Sequence, residues 1–334
     1  MPIPFAINGL GRMGRAALRI ALERPDLDPV AVNDVAPINQ LAGLVARDSL
    51  HGRLRATVSI DNDDLVIGDR RIRVFNEPDT AAIPWPETGA RIVVDATGRC
   101  LTPECAEPHR RGAVEKVIVS ANARRMDLTI CRGINDQAYN PSRHHLLSAA
   151  SCTTNCLAPV VYVLDRAYGI EEGTLNTVHS YNNDQRLLEY PHRDRRRARA
   201  ATLNMIPTTT SAVEALGRIL PDLAGRLEGF AVRVPTPNVS LIDLVVRLSA
   251  SPKVAEVNAS FRSAAEGELA GILSTTDEEL VSMDFLGDPH SAIVDLPLTR
   301  KLRNLYRIVA WYDNEWGHAS RLIDVLSLVG GHLK

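Results

Sequence analysis

The stretch Ala150-Ser151-Cys152-Thr153-Thr154-Asn155-Cys156 places a thiol among small hydroxyl residues, just ahead of the apolar run that begins at Leu157 and Ala158. That pattern reads as a loop turning into a helix, with Cys152 near its start. A sulfur there faces backbone N–H groups that lack an intrahelical acceptor, together with the positive end of the helix dipole. Both favour a thiolate, which is a nucleophile toward carbonyl carbon. The competing reading is an inert buried cysteine, the commoner fate of an intracellular thiol. A base would sharpen the choice, and His179 follows 27 residues later at the end of the alternating stretch 173–180. Sequence alone does not bring the two side chains together. Cys156, one helical turn on, reads as a packed helix residue.

A second constellation lies near the N-terminus. Residues 3–8 form an apolar run long enough for one buried strand. It ends in Gly9-Leu10-Gly11-Arg12-Met13-Gly14, a G-x-G-x-x-G, after which residues 15–22 carry helical spacing. Residues 29–34 then read as a second strand ending in Asp34, 20 residues past Gly14. A lone glycine motif is weak, since an ordinary βαβ turn also uses glycine. Strand, glycines, helix, strand and acid in that order point to a dinucleotide site. The glycines let the backbone approach a pyrophosphate at the helix N-terminus, where free N–H groups meet its charge. Asp34 would bond a ribose 2′-hydroxyl and repel a 2′-phosphate, so the expected cofactor is NAD rather than NADP.

These groups need a scaffold, and 334 residues allow about two domains, each with its own core. Apolar residues make up 45% of the chain but aromatics only 4%, so the cores must be aliphatic, as in parallel sheets covered by helices. Residues 91–98 and 114–120 read as further strands, with a helix-like segment at 103–111 between them and a polar loop at 47–53. The first half therefore reads as α/β, a Rossmann-type doubly wound parallel sheet. After Cys152, residues 157–168 and 253–267 read as helices. Residues 173–180, two stretches within 231–248, 280–285 and 305–312 read as strands. Regular βαβ alternation is gone, so the second half is expected to be an α+β catalytic domain with an antiparallel or mixed sheet. Residues 315–329 read as an amphipathic closing helix. The expected division is an NAD-binding domain over 1–151, a catalytic domain over 152–314, and a C-terminal segment over 315–334 that packs back on the first domain.

Charge and cysteine usage exclude several classes. A formal net charge of −2 gives no general attraction to nucleic acid or to an anionic membrane. The five cysteines show no C-x-x-C and no disulfide pattern, so no metal site is expected and a reducing cytoplasm is. The N-terminus lacks the features of a signal peptide, and no apolar run approaches a membrane span. Five arginines fall within residues 193–199. Such a run is usually a solvated face, but it also suits an inter-subunit surface or an anionic substrate. Without interleaved aromatics it is a poor nucleic-acid surface.

Taken together, these residues resemble the phosphorylating glyceraldehyde-3-phosphate dehydrogenase family along nearly the whole chain. The motifs that carry the resemblance are residues 7–15, Ser151-Cys152-Thr153-Thr154-Asn155-Cys156, His179-Ser180-Tyr181, residues 233–240 and residues 311–317. The resemblance implies that Cys152 attacks an aldehyde to give a hemithioacetal and then a thioester, with His179 as base, before phosphate releases an acyl phosphate. The Cys152 N–H and the His179 ring would hold the oxyanion. Arg233 with Asn182 would bind the phosphate of a phosphorylated aldehyde, and Ser151, Thr153, Thr210 and Ser211 the attacking inorganic phosphate. Gly9, Arg12, Met13, Asp34, Thr97, Ser120 and Asn314 would line the NAD site, with Asn314 on the nicotinamide carboxamide. Pro191 matches the NAD-preferring form. A homotetramer is implied, in which the loop 190–201 packs near a neighbour's NAD site.

Four positions depart from the family's usual pattern. Asn182 stands for a threonine, Thr210-Ser211 for Thr-Gly and His318 for a tyrosine, while residues 99–101 lack the aromatic near the adenine. Cys152, His179 and Arg233 are intact. The sister erythrose-4-phosphate dehydrogenases are similar at residues 195–201 and 288–295, whereas residues 183–188 and 206–210 look like glyceraldehyde-3-phosphate dehydrogenases, which favours the triose phosphate. Two further readings are a binding protein that keeps the fold without efficient turnover, and a biosynthetic semialdehyde dehydrogenase. The Cys152 and Arg233 motifs fit the latter poorly.

Overall fold

In the computed structural model, which describes residues 1–333, the chain divides into two units: Met1–Ala150 with the segment from Ala319 onward, and Ser151–His318. The first unit opens with β1 (Ile3–Asn8), α1 (Arg12–Leu22) and β2 (Leu27–Asn33), the βαβ order expected of the glycine motif. Next come α2 (Ile38–Ala46), a small hairpin of β3 (Arg47–Asp48) and β4 (Gly52–Arg53), and the strands β5 (Val58–Asp61), β6 (Asp64–Ile67) and β7 (Arg70–Phe75). The series continues with β8 (Ile92–Asp95), the short α3 (Pro103–Ala106), β9 (Lys116–Val119), β10 (Leu128–Thr129) and β11 (Leu146–Ser148).

The strand order is β10-β11-β9-β8-β1-β2-β7-β6-β5. It is parallel from β10 to β7, and β6 and β5 close one edge as antiparallel strands. That edge departs from the purely parallel sheet expected, because residues 58–75 carry charges on their outer face and too short an alternation to read as strands. Residues 47–53 are likewise a hairpin and not a plain loop. The Asp48 carboxylate accepts from the Leu50 and His51 amides, and the buried Arg19 donates to the Val45 and Gly52 carbonyls at 2.8 and 3.0 Å. The helix-like segment 103–111 is a single turn followed by a 3-10 turn over Glu107–His109, where Pro108 supplies no N–H.

The carboxyl ends of β1, β2 and β8 are tied by a buried polar chain. Asn33 donates to Asn8 at 2.8 Å, Asn8 donates to Asp95 at 2.9 Å, and Asp95 lies 3.2 Å from His109 Nε2. Trp85 Nε1–H donates to His109 Nδ1 at 2.9 Å, so the ring proton sits on Nε2 and is given to Asp95. Burial pushes the Asp95 carboxyl up, but donors from His109, Thr97 and Asn8 outweigh it and hold the group below the usual carboxylate range. The chain fixes the strand ends that carry the glycine loop and Thr97.

The second unit contains α4 (Cys152–Tyr168), β12 (Ile170–Ser180), β13 (Ile206–Thr209), α5 (Ala212–Ile219), β14 (Leu227–Val234) and β15 (Ser240–Leu248). It continues with α6 (Val254–Glu266), β16 (Leu273–Thr276), β17 (Ala292–Asp295), β18 (Arg300–Leu302), β19 (Leu305–Tyr312) and the start of α7 (Trp316–Gly330). Its sheet runs β13-β14-β12-β15-β19-β17-β16 and is mixed: β12 pairs parallel with β14 and antiparallel with β15. Helix α4 packs over β12, β15, β17 and β19. Residues 280–285 are not the strand expected. Ser282–Phe285 form a 3-10 turn, because the Asp284 carboxylate accepts from the Val281 amide at 2.8 Å. Val281 and Met283 point to solvent, while Phe285 stacks on Trp311 with centroids 5.3 Å apart. From Ala319 onward α7 lies in the first unit, with Leu322, Ile323, Leu326 and Val329 buried.

Among the described residues no helix is long and apolar enough to cross a membrane, and no group of three or more His, Cys, Asp or Glu is placed to hold a metal ion. Replacing His109 by leucine strands a buried carboxylate and a buried indole N–H. The expected loss is about 3 kcal/mol of unfolding free energy, read from urea denaturation; an unchanged midpoint at unchanged slope would show that the chain does not stabilise the sheet.

Candidate active site

Cys152 is the first residue of α4, five positions earlier than the apolar run suggests. The turn into it is demanding. Ala150 adopts φ 59°, a left-handed conformation that costs a residue with a side chain. Ser151 is extended and caps the helix, its Oγ accepting from the Thr154 amide at 3.2 Å. His179 comes from β12, where Leu175, Thr177 and His179 share one buried face by the two-residue period of a strand. Its Nε2 stands 3.4 Å from Cys152 Sγ. The nucleophile and base expected from the sequence are therefore brought together.

Two further side chains set that contact. Tyr312, from β19, is buried. Its hydroxyl is shared with Thr153 Oγ1 at 2.9 Å and Thr177 Oγ1 at 3.0 Å, which ties the start of α4 to β12. Its ring meets the His179 imidazole edge-on, with centroids 6.0 Å apart. Arg233 is the register partner of His179 across the parallel β12–β14 pair. Its guanidinium donates to the Ser180 carbonyl at 3.0 Å and also touches His179 Nδ1.

Opposing influences act on both groups. Burial pushes the Cys152 thiol up, against the pull of Arg233 and the Thr153 donors. Burial, and then the Arg233 charge, drives the His179 imidazole down to about 3. Packing thus disfavours charge on each member of the pair taken by itself.

The expected anion-binding positions all fall in the second unit. Asn182 is exposed, and its side-chain oxygen accepts from the Asp184 amide at 3.2 Å. Thr210 and Ser211 sit at the start of α5, where the Thr210 hydroxyl accepts from the Ala212 amide at 3.3 Å. The Thr153 hydroxyl is buried and shares a hydrogen bond with Tyr312. Asn314 is locked by the Ser180 and Ser240 hydroxyls, which donate to its Oδ1 at 2.9 and 2.8 Å. Its amide nitrogen is the group left to donate.

Residues 3–103 match the family model described as glyceraldehyde 3-phosphate dehydrogenase, NAD binding domain, and residues 151–314 match its C-terminal domain. The chain is 48% identical over 330 residues to glyceraldehyde-3-phosphate dehydrogenase of Geobacillus stearothermophilus, covering 98% of each protein. It is 47% identical to glyceraldehyde-3-phosphate dehydrogenase 1 of Bacillus cereus, covering 96% of each, and 46% identical to the Streptomyces coelicolor protein of the same family, covering 100% of each. The chain belongs to the glyceraldehyde 3-phosphate dehydrogenase family.

The family's NAD-binding domain makes the glycine loop testable for fit. Gly9 has φ 93°, and a Cβ on Gly14 would fall 1.9 Å from the Gly9 carbonyl oxygen, so neither position admits a side chain. A Cβ on Gly11 would meet nothing within 4 Å, and no side chain caps the start of α1. That leaves amides and open space of the kind a pyrophosphate needs. Asp34 accepts from the Leu10 amide at 2.7 Å and the Ala36 amide at 2.9 Å, which binds the acid to the loop. Arg12 is paired with Asp48, Thr97 donates to Asp95 at 2.7 Å, the Ser120 amide donates to the Asp95 carbonyl at 2.9 Å, and Met13 is half-buried. These residues fit NAD.

The sequence assigns no role to several residues that position others: Tyr312, Asp48, the Asp95–His109 pair, and Asp313, which accepts from the Glu315 and Trp316 amides at 2.8 Å to start α7. Tyr312 and His109 bond side chains on distant elements, so no local spacing signals them. Asp48 carries a pH signature. Burial raises its carboxyl, but the His51 and Leu50 amides and Arg12 lower it further, to about 2. Its contribution is present above about pH 4, the unfolded aspartate value, and is lost as pH falls toward about 2. Thermal melts across that window should show a shallower acid limb in Asp48→Asn than in the wild type; parallel limbs would contradict the anchoring role.

Proposed function

We propose that the chain catalyses the NAD-dependent, phosphorylating oxidation of glyceraldehyde 3-phosphate to 1,3-bisphosphoglycerate, with Cys152 as nucleophile and His179 as base. The observation that carries this reading is the 3.4 Å approach of Cys152 Sγ to His179 Nε2 beside the Arg233 guanidinium. When bound, NAD supplies the hydride acceptor. Cys152 Sγ adds to the aldehyde carbon, and the thiol proton reaches the new hydroxyl through His179. The imidazole takes the hydroxyl proton back as the carbon gives up its hydride, which leaves a thioester. The Cys152 amide, at the start of α4, and the His179 ring stabilise the oxyanion. A phosphate oxygen then attacks the thioester carbon, the C–S bond breaks, and the sulfur leaves as thiolate.

In this reading Arg233 and Asn182 hold the substrate phosphate. Ser151, Thr153, Thr210 and Ser211 hold the attacking phosphate. Asn314 orients the carboxamide of NAD, and Gly9, Arg12, Met13, Asp34, Thr97 and Ser120 hold the rest. The protein works as a homotetramer in the cytoplasm. Supporting assembly, Leu187, Leu188, Leu203 and Met205 are 68%, 71%, 77% and 75% exposed, more large apolar surface than one loop of a monomer usually shows. Supporting a reducing compartment, all five cysteines are free thiols.

NADH should form from glyceraldehyde 3-phosphate only when phosphate or arsenate is supplied. Cys152→Ser should cut kcat by about a thousandfold or more, and His179→Asn by about 10²–10⁴. Erythrose 4-phosphate turning over with the higher kcat/KM and no need of phosphate would move the chain to the erythrose-4-phosphate dehydrogenases. Full turnover in Cys152→Ser would sink the mechanism itself.

A further inference from the structure

Two cysteines that the chemistry above does not use face each other in the first unit. Cys100 follows β8 and is wholly buried, while Cys105 is half-buried on α3. Both pack in one apolar cluster with Ala106, Val117, Val119 and Leu146, and the Cys105 thiol is a hydrogen-bond neighbour of the Cys100 thiol. Cys100 Sγ lies 4.0 Å from the Thr102 carbonyl, which also accepts from the Cys105 amide at 3.2 Å. The turn at Thr102 thus folds the chain back so that thiols five residues apart meet. The remaining cysteines are otherwise placed: Cys156 lies beside Cys152 in the site already described, and Cys131 is buried.

The position of this pair ties it to the dinucleotide. The strand order β9-β8-β1-β2 reverses its winding between β1 and β8, and a dinucleotide lies in the crevice at such a reversal. The loops after β1 and β8 touch there, since a Cβ on Gly9 would fall 3.0 Å from Thr97 Cγ2. Three residues beyond Thr97, the buried Cys100 anchors a segment whose flanking residues, Arg99 and Leu101, are exposed. We infer that Cys100 and Cys105 are a redox-active dithiol: hydrogen peroxide joins them in a disulfide, which draws residues 99–101 toward α3 and weakens NAD binding. The effect on NAD rests on the assignment of Thr97 to the cofactor site, whereas formation of the bond does not.

The two thiols take different parts in the step. Solvent reaches Cys105, whereas burial and the nearby Asp95 charge hold the Cys100 thiol protonated, so Cys105 reacts first. Its sulfur loses the thiol proton and attacks one peroxide oxygen. The O–O bond breaks, hydroxide leaves and takes up the proton as water, and a sulfenic acid remains on Cys105. The Cys100 sulfur then attacks the Cys105 sulfur. The S–O bond breaks, and the departing hydroxide takes the Cys100 proton to give a second water. Two electrons pass from the sulfurs to the peroxide, leaving one disulfide. A small dithiol reverses the bond by exchange and is itself oxidised to a cyclic disulfide. Before oxidation, Leu101 is held from the other side, its carbonyl accepting from the Arg124 amide at 2.9 Å. Joining sulfurs that now only touch pulls against that contact and displaces the segment beside Thr97.

Peptide mapping and NAD titration read the bond and its effect separately. Both use the full-length Cys152→Ser protein, which keeps oxidation of the nucleophile out of the measurement. Trypsin releases both cysteines in one peptide, residues 100–110. After hydrogen peroxide and alkylation of residual thiols, that peptide should be two hydrogens lighter than its reduced form and carry no alkyl group. Dithiothreitol should restore both thiols. The calorimetric Kd for NAD should rise about tenfold on oxidation, the size of one lost apolar contact, and return on reduction. Cys105→Ser in the same background should keep its NAD affinity through the same treatment. A peptide that keeps two alkylatable thiols, or that carries a sulfinic acid in place of the bond, overturns the dithiol. A disulfide that forms while NAD binds as tightly as before, or more tightly, overturns the coupling. Reduced protein that binds no NAD overturns the cofactor-site assignment instead, and the peptide map still decides whether the bond forms.

Discussion

A sulfur and an imidazole nitrogen 3.4 Å apart come from elements with no local reason to meet. Their meeting depends on where α4 begins and on how β12 is paired. The first is settled by Ser151 as helix cap and by the left-handed Ala150 ahead of it. The second is settled by the parallel β12–β14 register and the antiparallel β12–β15 register, which leave His179 on the buried face beside Arg233. Tyr312 then fixes the distance by bonding Thr153 on the helix and Thr177 on the strand. A shift of one residue in β12 would turn His179 to the opposite face.

The site's electrostatics follow from the same packing. Packing a thiol and an imidazole beside a guanidinium disfavours charge on each acid–base partner. In the first unit the same logic appears in another form. Asp95 is buried yet ionised, because Asn8, Thr97 and His109 all donate to it.

What is legible in the sequence is whatever the backbone writes locally. The glycine loop can be read because Gly9 needs positive φ and Gly14 has no room for a Cβ, requirements that only glycine meets. Cys152 can be placed at a helix start because Ser151 is a good cap. His179 can be nominated but not paired, since its neighbours come from β14 and β19, tens of residues later. Residues 280–285 mislead because Leu280, Val281, Met283 and Phe285 look alternating, while the Asp284 cap turns the chain. The two antiparallel edge strands at β5 and β6 escape notice because charged, half-exposed strands lack an apolar rhythm.

The pairing of Cys152 with His179 is tested most directly by following the imidazole nitrogens of the nine histidines by NMR before and after carbamidomethylation of Cys152. If the two side chains share a hydrogen bond, the reaction displaces the Nε2 resonance of one histidine, and that resonance is missing from the spectrum of His179→Asn. If alkylation goes to completion and the His179 resonances stay where they were, the sulfur and the imidazole are not neighbours, and no catalytic role built on their contact survives.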